Sequence, residues 1–163
     1  MPTTSLEPSV SPITESQRCG NFVAGANLSG CDLISAYLID ANLTGANLTN
    51  ANLILANLTG TNLTNAILID ARTESAILGD AILTGADLTG CDLTYADLVG
   101  HDLTGAILRA DLNNADLSGA VLEDADLSNA NLYLAKLSGV TWSNTTCSNG
   151  SNSDDTANGG TCS

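Results

Sequence analysis

Residues 41–70, ANLTGANLTNANLILANLTGTNLTNAILID, spell nearly one five-letter word six times. Leucine marks the period: it recurs every five residues from Leu28 to Leu68 and from Leu78 to Leu108, then resumes at Leu112 and runs to Leu137. An α-helix turns about 100° per residue, so a step of five would scatter these leucines around every face. In one straight strand the same step would send each leucine to the opposite side. A chain that turns a corner every five residues buries all of them against one axis. The word then reads small-in, polar-out, Leu-in, turn, turn. Ala stands two residues before the leucine, on the same face of an extended chain. Asn or Asp lies between them and faces solvent, and Thr-Gly, Thr-Asn or Ser-Gly supplies the corner.

Composition agrees with a narrow interior. The 163 residues are 44% hydrophobic but only 3% aromatic, so Leu, Ile and Ala must fill the core. The net charge of −14 disfavours nucleic acid and anionic lipid, so neither is expected as a direct partner. No apolar run reaches the roughly 18–20 residues that span a bilayer. The opening stretch MPTTSLEPSVSPITESQRCG lacks the basic and apolar regions of a secretory signal, which implies a cytoplasmic chain or one whose signal has been removed.

Tandem A(D/N)LXX units, such as Ala41-Asn42-Leu43-Thr44-Gly45 and Ala86-Asp87-Leu88-Thr89-Gly90, resemble the pentapeptide-repeat proteins, in particular exported bacterial and cyanobacterial ones. The resemblance covers about residues 21–144 and implies an all-β fold: a right-handed quadrilateral parallel β-helix with four pentapeptides per coil. Residues 21–40, 41–60, 61–80, 81–100, 101–119 and 120–139 then form coils 1 to 6, and 140–144 begins a seventh. At about 4.8 Å per coil the rod is roughly 30 Å long.

A solenoid needs caps over its unpaired ends. Residues 1–20 are expected to be an extension with a short helical cap, Ser11 acting as N-cap and Pro12 as first helical residue. Trp142, the one tryptophan, is expected to plug the last coil. The polar tail 145–163 has no core of its own, and a disulfide between Cys147 and Cys162 is expected to close it. Cys31 and Cys91 fall on inward positions and read as core residues; Cys19 has no assignment.

Three irregularities interrupt the repeat. Thr73 takes a leucine position between Arg72 and Glu74, and reads as a local defect or a recognition spot. Ala106-Ile107-Leu108-Arg109 has four residues instead of five and is expected to tighten one corner and bend the rod. His101 fills an inward small-residue position in the same coil and reads as a packed structural histidine.

Wrapped onto four faces, the sequence gathers Ile34, Ile54, Leu55, Tyr95, Tyr133 and Leu134 at outward corners of the third face, with Arg72 and Glu74 among them. That face is the expected contact surface for a protein partner or a second copy of the chain. The sequence offers no catalytic constellation, metal-ligand spacing or phosphate-cradling loop; no enzyme activity, metal or cofactor is expected. The leading reading is a scaffold or protein-interaction module. The alternative is an acidic DNA mimic that inhibits a DNA-binding protein such as DNA gyrase, a role some members of the resembled family have. Within 21–139, fourteen acidic and three basic residues leave −11, about one charge per 3 Å against one per about 1.7 Å in duplex DNA. The bracketing cysteines favour the periplasm, the thylakoid lumen or the extracellular space, with the cytoplasm as the alternative.

Overall fold

The computed structural model describes residues 19–154 and Cys162. The helical cap expected over residues 11–16 lies outside them. In a typical unit the leucine carbonyl accepts a hydrogen bond from the amide three residues on, as Leu43 does from Ala46 at 2.9 Å. Each such turn has a third residue with positive φ, the type II pattern: Gly45 at 64°, Asn50 at 57°, Asp70 at 55°. Gly, Asn and Asp tolerate that conformation, which is why they crowd the fifth position. Glycine at 60 and 90 answers a second demand, since a Cβ there would strike the carboxylate of Asp40 or Asp70 in the coil below.

The outward Asn or Asp also has a local task. Its side-chain oxygen accepts the amide two residues on, as Asn47 does from Thr49 at 3.0 Å and Asp92 from Thr94 at 3.0 Å. A threonine at that site donates its hydroxyl to the same oxygen, at 2.7 Å from Thr59 to Asn57. The polar-out residue therefore locks the corner that follows it.

No extended strand forms among the described residues. Isolated parallel bridges instead join each outward residue to the one twenty positions on, from Asn27–Asn47 to Asn62–Ile82 without a gap. A register of twenty is four units per turn of the coil. Leucines and small residues fill the axis in one continuous core from Ala26 to Ala130, most of them with no accessible surface.

The four-residue unit leaves this ladder intact. Asp92–Asp111, Asp97–Asp116, Asp102–Val121 and Ile107–Asp126 pair at a register of nineteen, after which twenty returns at Asp111–Asn131. The residue lost is the left-handed one. Ala110 N–H reaches the Leu108 carbonyl at 2.8 Å, so a three-residue γ-turn replaces the usual four-residue corner.

The coil also runs past the expected boundary at 144. Thr146 pairs in parallel with Asp126, and the chain then reverses so that Asn152 pairs antiparallel with Thr146. Cys147 N–H bonds the Ser151 carbonyl at 2.7 Å and Ser153 N–H bonds the Thr145 carbonyl at 2.8 Å, covering the open edge on that face. Trp142 is half-buried against the core. A disulfide joins Cys147 to Cys162. A second, absent from the sequence reading, joins Cys19 to Cys31. Cys31 is fully buried, but it is a staple at the N-terminal end of the rod rather than a free core thiol.

Candidate functional site

The corner residues of the third face stack on one side of the rod, but they do not form one patch. Ile34, Ile54 and Leu55 lie on adjacent coils, linked by Ser35 N–H to the Ile54 carbonyl at 2.9 Å. Arg72 and Glu74 follow on the next coil as an exposed ion pair at 3.2 Å, and the second carboxylate oxygen of Glu74 is buried without a hydrogen-bond partner. Tyr95 stands apart at the middle of the rod, and Tyr133 and Leu134 lie at the far end beyond Asn113 and Asn114. What distinguishes this face is conformation. Leu55, Tyr95 and Leu134 all have φ near 60°, where bulky side chains are strained, and they are 56%, 74% and 64% exposed. The equivalent corner residues on the other three faces are Gly, Asn or Asp throughout. Strain of that kind costs of order 1–3 kcal/mol per residue and clusters at sites of function.

Beside Tyr95 the ladder opens. The three consecutive bridges that the register requires, Arg72–Asp92, Ile77–Asp97 and Ile82–Asp102, are absent, although those before and after them form. A cleft of about 480 Å³ occupies the gap, with Thr73, Leu78, Asp80 on one side and Leu93, Tyr95, Asp97 on the other. A smaller one of about 240 Å³ continues it past His101.

Two residues account for the opening. Thr73, short of a leucine's bulk, uses its hydroxyl on the Asp92 carbonyl at 2.7 Å, where the ladder elsewhere uses the amide. His101 extends a device that recurs along the rod. Thr61, Cys91 and Thr145, at inward small positions, each donate to the carbonyl of the leucine twenty-three residues earlier, at 2.6, 3.1 and 2.6 Å. His101 makes the same reach to Leu78 O through Nε2 at 2.9 Å, with Nδ1 3.3 Å from Val99 O. An imidazole is several bond lengths longer than a hydroxymethyl group, so filling this position with it wedges the two coils apart. The sequence marked Thr73 and His101 as separate oddities and tied His101 to the short unit at 106–109. In the structure they flank one cleft, and the short unit has no part in it.

The remaining polar chemistry is structural. Of the described cations, Arg109 pairs with Asp126 and Lys136 with Asp116, at 2.8 Å in the second case. The hydrogen bond from Lys136, with those from Ser118, draws the Asp116 carboxyl down to about 2. Burial opposes ionisation of Asp126, but hydrogen bonds from Ser128 and Arg109 outweigh it and hold that carboxyl below the ordinary value. Burial pushes the Cys91 thiol up to about 12, so it stays a protonated donor to Leu68 O and a poor nucleophile. A depressed carboxyl contributes stability above its unfolded value near 4, lost as pH falls through the folded value near 2. Lys136→Gln should therefore raise the Asp116 midpoint toward the ordinary value, read from its carboxyl carbon in an NMR titration; an unmoved midpoint would show that Ser118 alone sets it.

The family model for pentapeptide repeats matches residues 26–65, 75–109 and 109–144, in eight copies and over more than half of the chain. This chain is a pentapeptide-repeat protein. The family's right-handed quadrilateral β-helix is the four-sided coil described above. HetL, a pentapeptide-repeat protein involved in heterocyst differentiation regulation in the cyanobacterium Nostoc sp. strain PCC 7120, is 32% identical with a TM-score of 0.54. The alignment covers 78% of this pentapeptide-repeat protein and 64% of HetL, so the chain spans somewhat under two thirds of that relative. A pentapeptide-repeat protein of the Arabidopsis thaliana thylakoid lumen is 26% identical over 71% of this chain and 74% of its own, at a TM-score of 0.31. QnrB1, a plasmid-mediated fluoroquinolone resistance protein, is 21% identical over 71% and 77%, at a TM-score of 0.41. No curated protein matches significantly.

Proposed function

We propose that this protein is a non-enzymatic interaction module whose contact surface is the third face. The observation that carries the reading is the placement of Leu55, Tyr95 and Leu134, three exposed bulky residues at positive φ on one face of a rod that elsewhere uses Gly, Asn or Asp there. A corner built only for stability would use glycine or asparagine. The partner is a protein, either a different chain or a second copy of this one, and the two disulfides suit residence in an oxidising compartment: periplasm, thylakoid lumen or extracellular space.

Glycine at 55, 95 and 134 separates contact from stability. Each substitution should raise the unfolding free energy by about 0.5–1 kcal/mol, as relief of left-handed strain exceeds glycine's entropic cost. Association should weaken at the same time, as should that of a Tyr95→Asp, Tyr133→Asp protein in light scattering or partner pull-down. A triple variant that gains stability and keeps every association overturns the reading. The DNA-mimic alternative draws less support, because the outward positions of the first coils are Asn at 42, 47, 52, 57 and 62, and the carboxylates gather on the second half of the rod. A supercoiling assay at low salt, with gyrase and excess protein, tests it: mimicry requires inhibition that falls steeply as salt rises.

A further inference from the structure

The cleft between coils 3 and 4 exposes what no other part of the described rod interior exposes: main chain that the repeat would pair with itself. In intact coils the leucine amide and the fifth-residue amide each donate to carbonyls of the next coil, as Leu58 does to Ile77 at 2.8 Å and Gly60 to Gly79 at 2.8 Å. At the cleft the corresponding amides of Ser75, Leu78 and Asp80 make no such bond, and the facing carbonyls of Thr94 and Asp97 receive none from them. The reverse bonds, which Ile77 N–H makes to Ala56 O at 2.9 Å in an intact rung, are missing as well between Asp92 and Ala71 and between Asp97 and Ala76. Each lip thus carries both donors and acceptors, in strand register and open to a ligand. An orphaned main-chain group sheltered from water costs of order 1–3 kcal/mol, so a ligand that satisfies several at once gains affinity from backbone contacts alone.

We propose that this cleft binds one extended polypeptide segment of a partner as an added rung. An extended peptide presents N–H and C=O groups alternately along both edges, which is the chemistry the two lips lack. The volume of about 480 Å³ lies within the usual range for a ligand site and admits a few residues with small side chains. Asp80 and Asp97 line it and Asp102 borders its continuation, while Arg72 is already paired to Glu74. The segment is therefore basic, with Lys or Arg directed outward toward these carboxylates. Tyr95 at the mouth gives its aliphatic stems a ring to lie against. This site shares Tyr95 with the third face, but its recognition rests on main-chain groups and needs neither Leu55 nor Leu134.

The test uses the intact, oxidised protein. A phage-displayed library of random heptapeptides is selected on it and counter-selected on a Thr73→Leu, His101→Ala protein, in which both positions carry the repeat's own residues and the ladder should close. Enriched peptides, made synthetically, are measured by fluorescence anisotropy. Expected are Lys- or Arg-bearing sequences that bind the double variant at least about tenfold more weakly, and that lose about as much when alternate backbone nitrogens are methylated. In the native protein the bound peptide should slow hydrogen exchange at the amides of Ser75, Leu78 and Asp80, a readout that does not depend on how the variant folds. Failure to enrich any peptide overturns the proposal. So does binding that survives N-methylation, which would mark a pocket for side chains or small molecules, and so does protection near Leu55 and Leu134 that leaves the amides of Ser75, Leu78 and Asp80 unchanged.

Discussion

Serine in place of Cys19 and Cys147 is expected to lower the unfolding free energy by about 2–3 kcal/mol per bridge, the upper value being that for a loop of about 15 residues. The bridges span twelve and fifteen positions in sequence, so their direct effect on the unfolded chain is similar. Position adds to it. A solenoid melts from its termini, because each end coil has a neighbour on one side only. Cys31 belongs to the first coil and Cys147 to the last paired unit, so each staple holds the rung where fraying would start. Loss of the Cys147 bridge also frees the hairpin over Thr146, which otherwise covers that edge. Guanidinium unfolding with and without reductant, followed by hydrogen exchange, measures both parts. The serine protein should lose protection first near Leu28 and Leu127 and last near Leu68. An unfolding midpoint that ignores reductant would overturn the stapling role and remove the main support for an oxidising compartment.

The period of five carried most of the fold, since no other backbone buries leucines so spaced. It also placed the corners, because Gly, Asn and Asp at every fifth position are what positive φ demands. The grouping of residues by face followed from four units per coil, taken from the family resemblance; the bridges show that register. Contiguity along a face did not follow, since polar corners at Ser75 and Asn114 interrupt the apolar ones. The cleft was hidden for a physical reason. Thr73 and His101 are twenty-eight positions apart and fall on different faces, and only the reach of an imidazole to Leu78 O makes them act on one interface. The short unit drew attention because it breaks the count, yet a γ-turn absorbs it at one corner. The Cys19–Cys31 bridge escaped because Cys31 fits the inward small position so well that burial explained it without a partner. The tail boundary moved because Thr145 and Thr146 satisfy the coil's hydrogen bonds without a leucine: Thr145 donates to Leu122 O at 2.6 Å, and Thr146 pairs with Asp126.

Truncating a core leucine should have a cost that depends on distance from the cleft. Leu58 has no accessible surface and belongs to an unbroken ladder, with Leu38 and Leu78 on the same face of the coils around it. Leu58→Ala removes buried apolar volume from a lattice whose spacing is fixed by hydrogen bonds on both sides, so the surroundings have little freedom to collapse. A cost of about 3–5 kcal/mol is expected, the upper part of the range for such substitutions. Leu78 is 6% exposed and lines the cleft, and its amide is unpaired toward the next coil. Its neighbours have room to relax and water already reaches the space, so Leu78→Ala should cost about 2–3 kcal/mol. Urea unfolding of the two proteins supplies the comparison, with the denaturant slope checked for equality so that the midpoints report stability alone. The same pair made in the Thr73→Leu, His101→Ala background should converge, because closing the ladder gives Leu78 the surroundings that Leu58 has. Equal costs in the native background would mean that the coils at 78 and 98 are as tightly held as the rest, and that the gap between them is not a mechanical weakness of the rod.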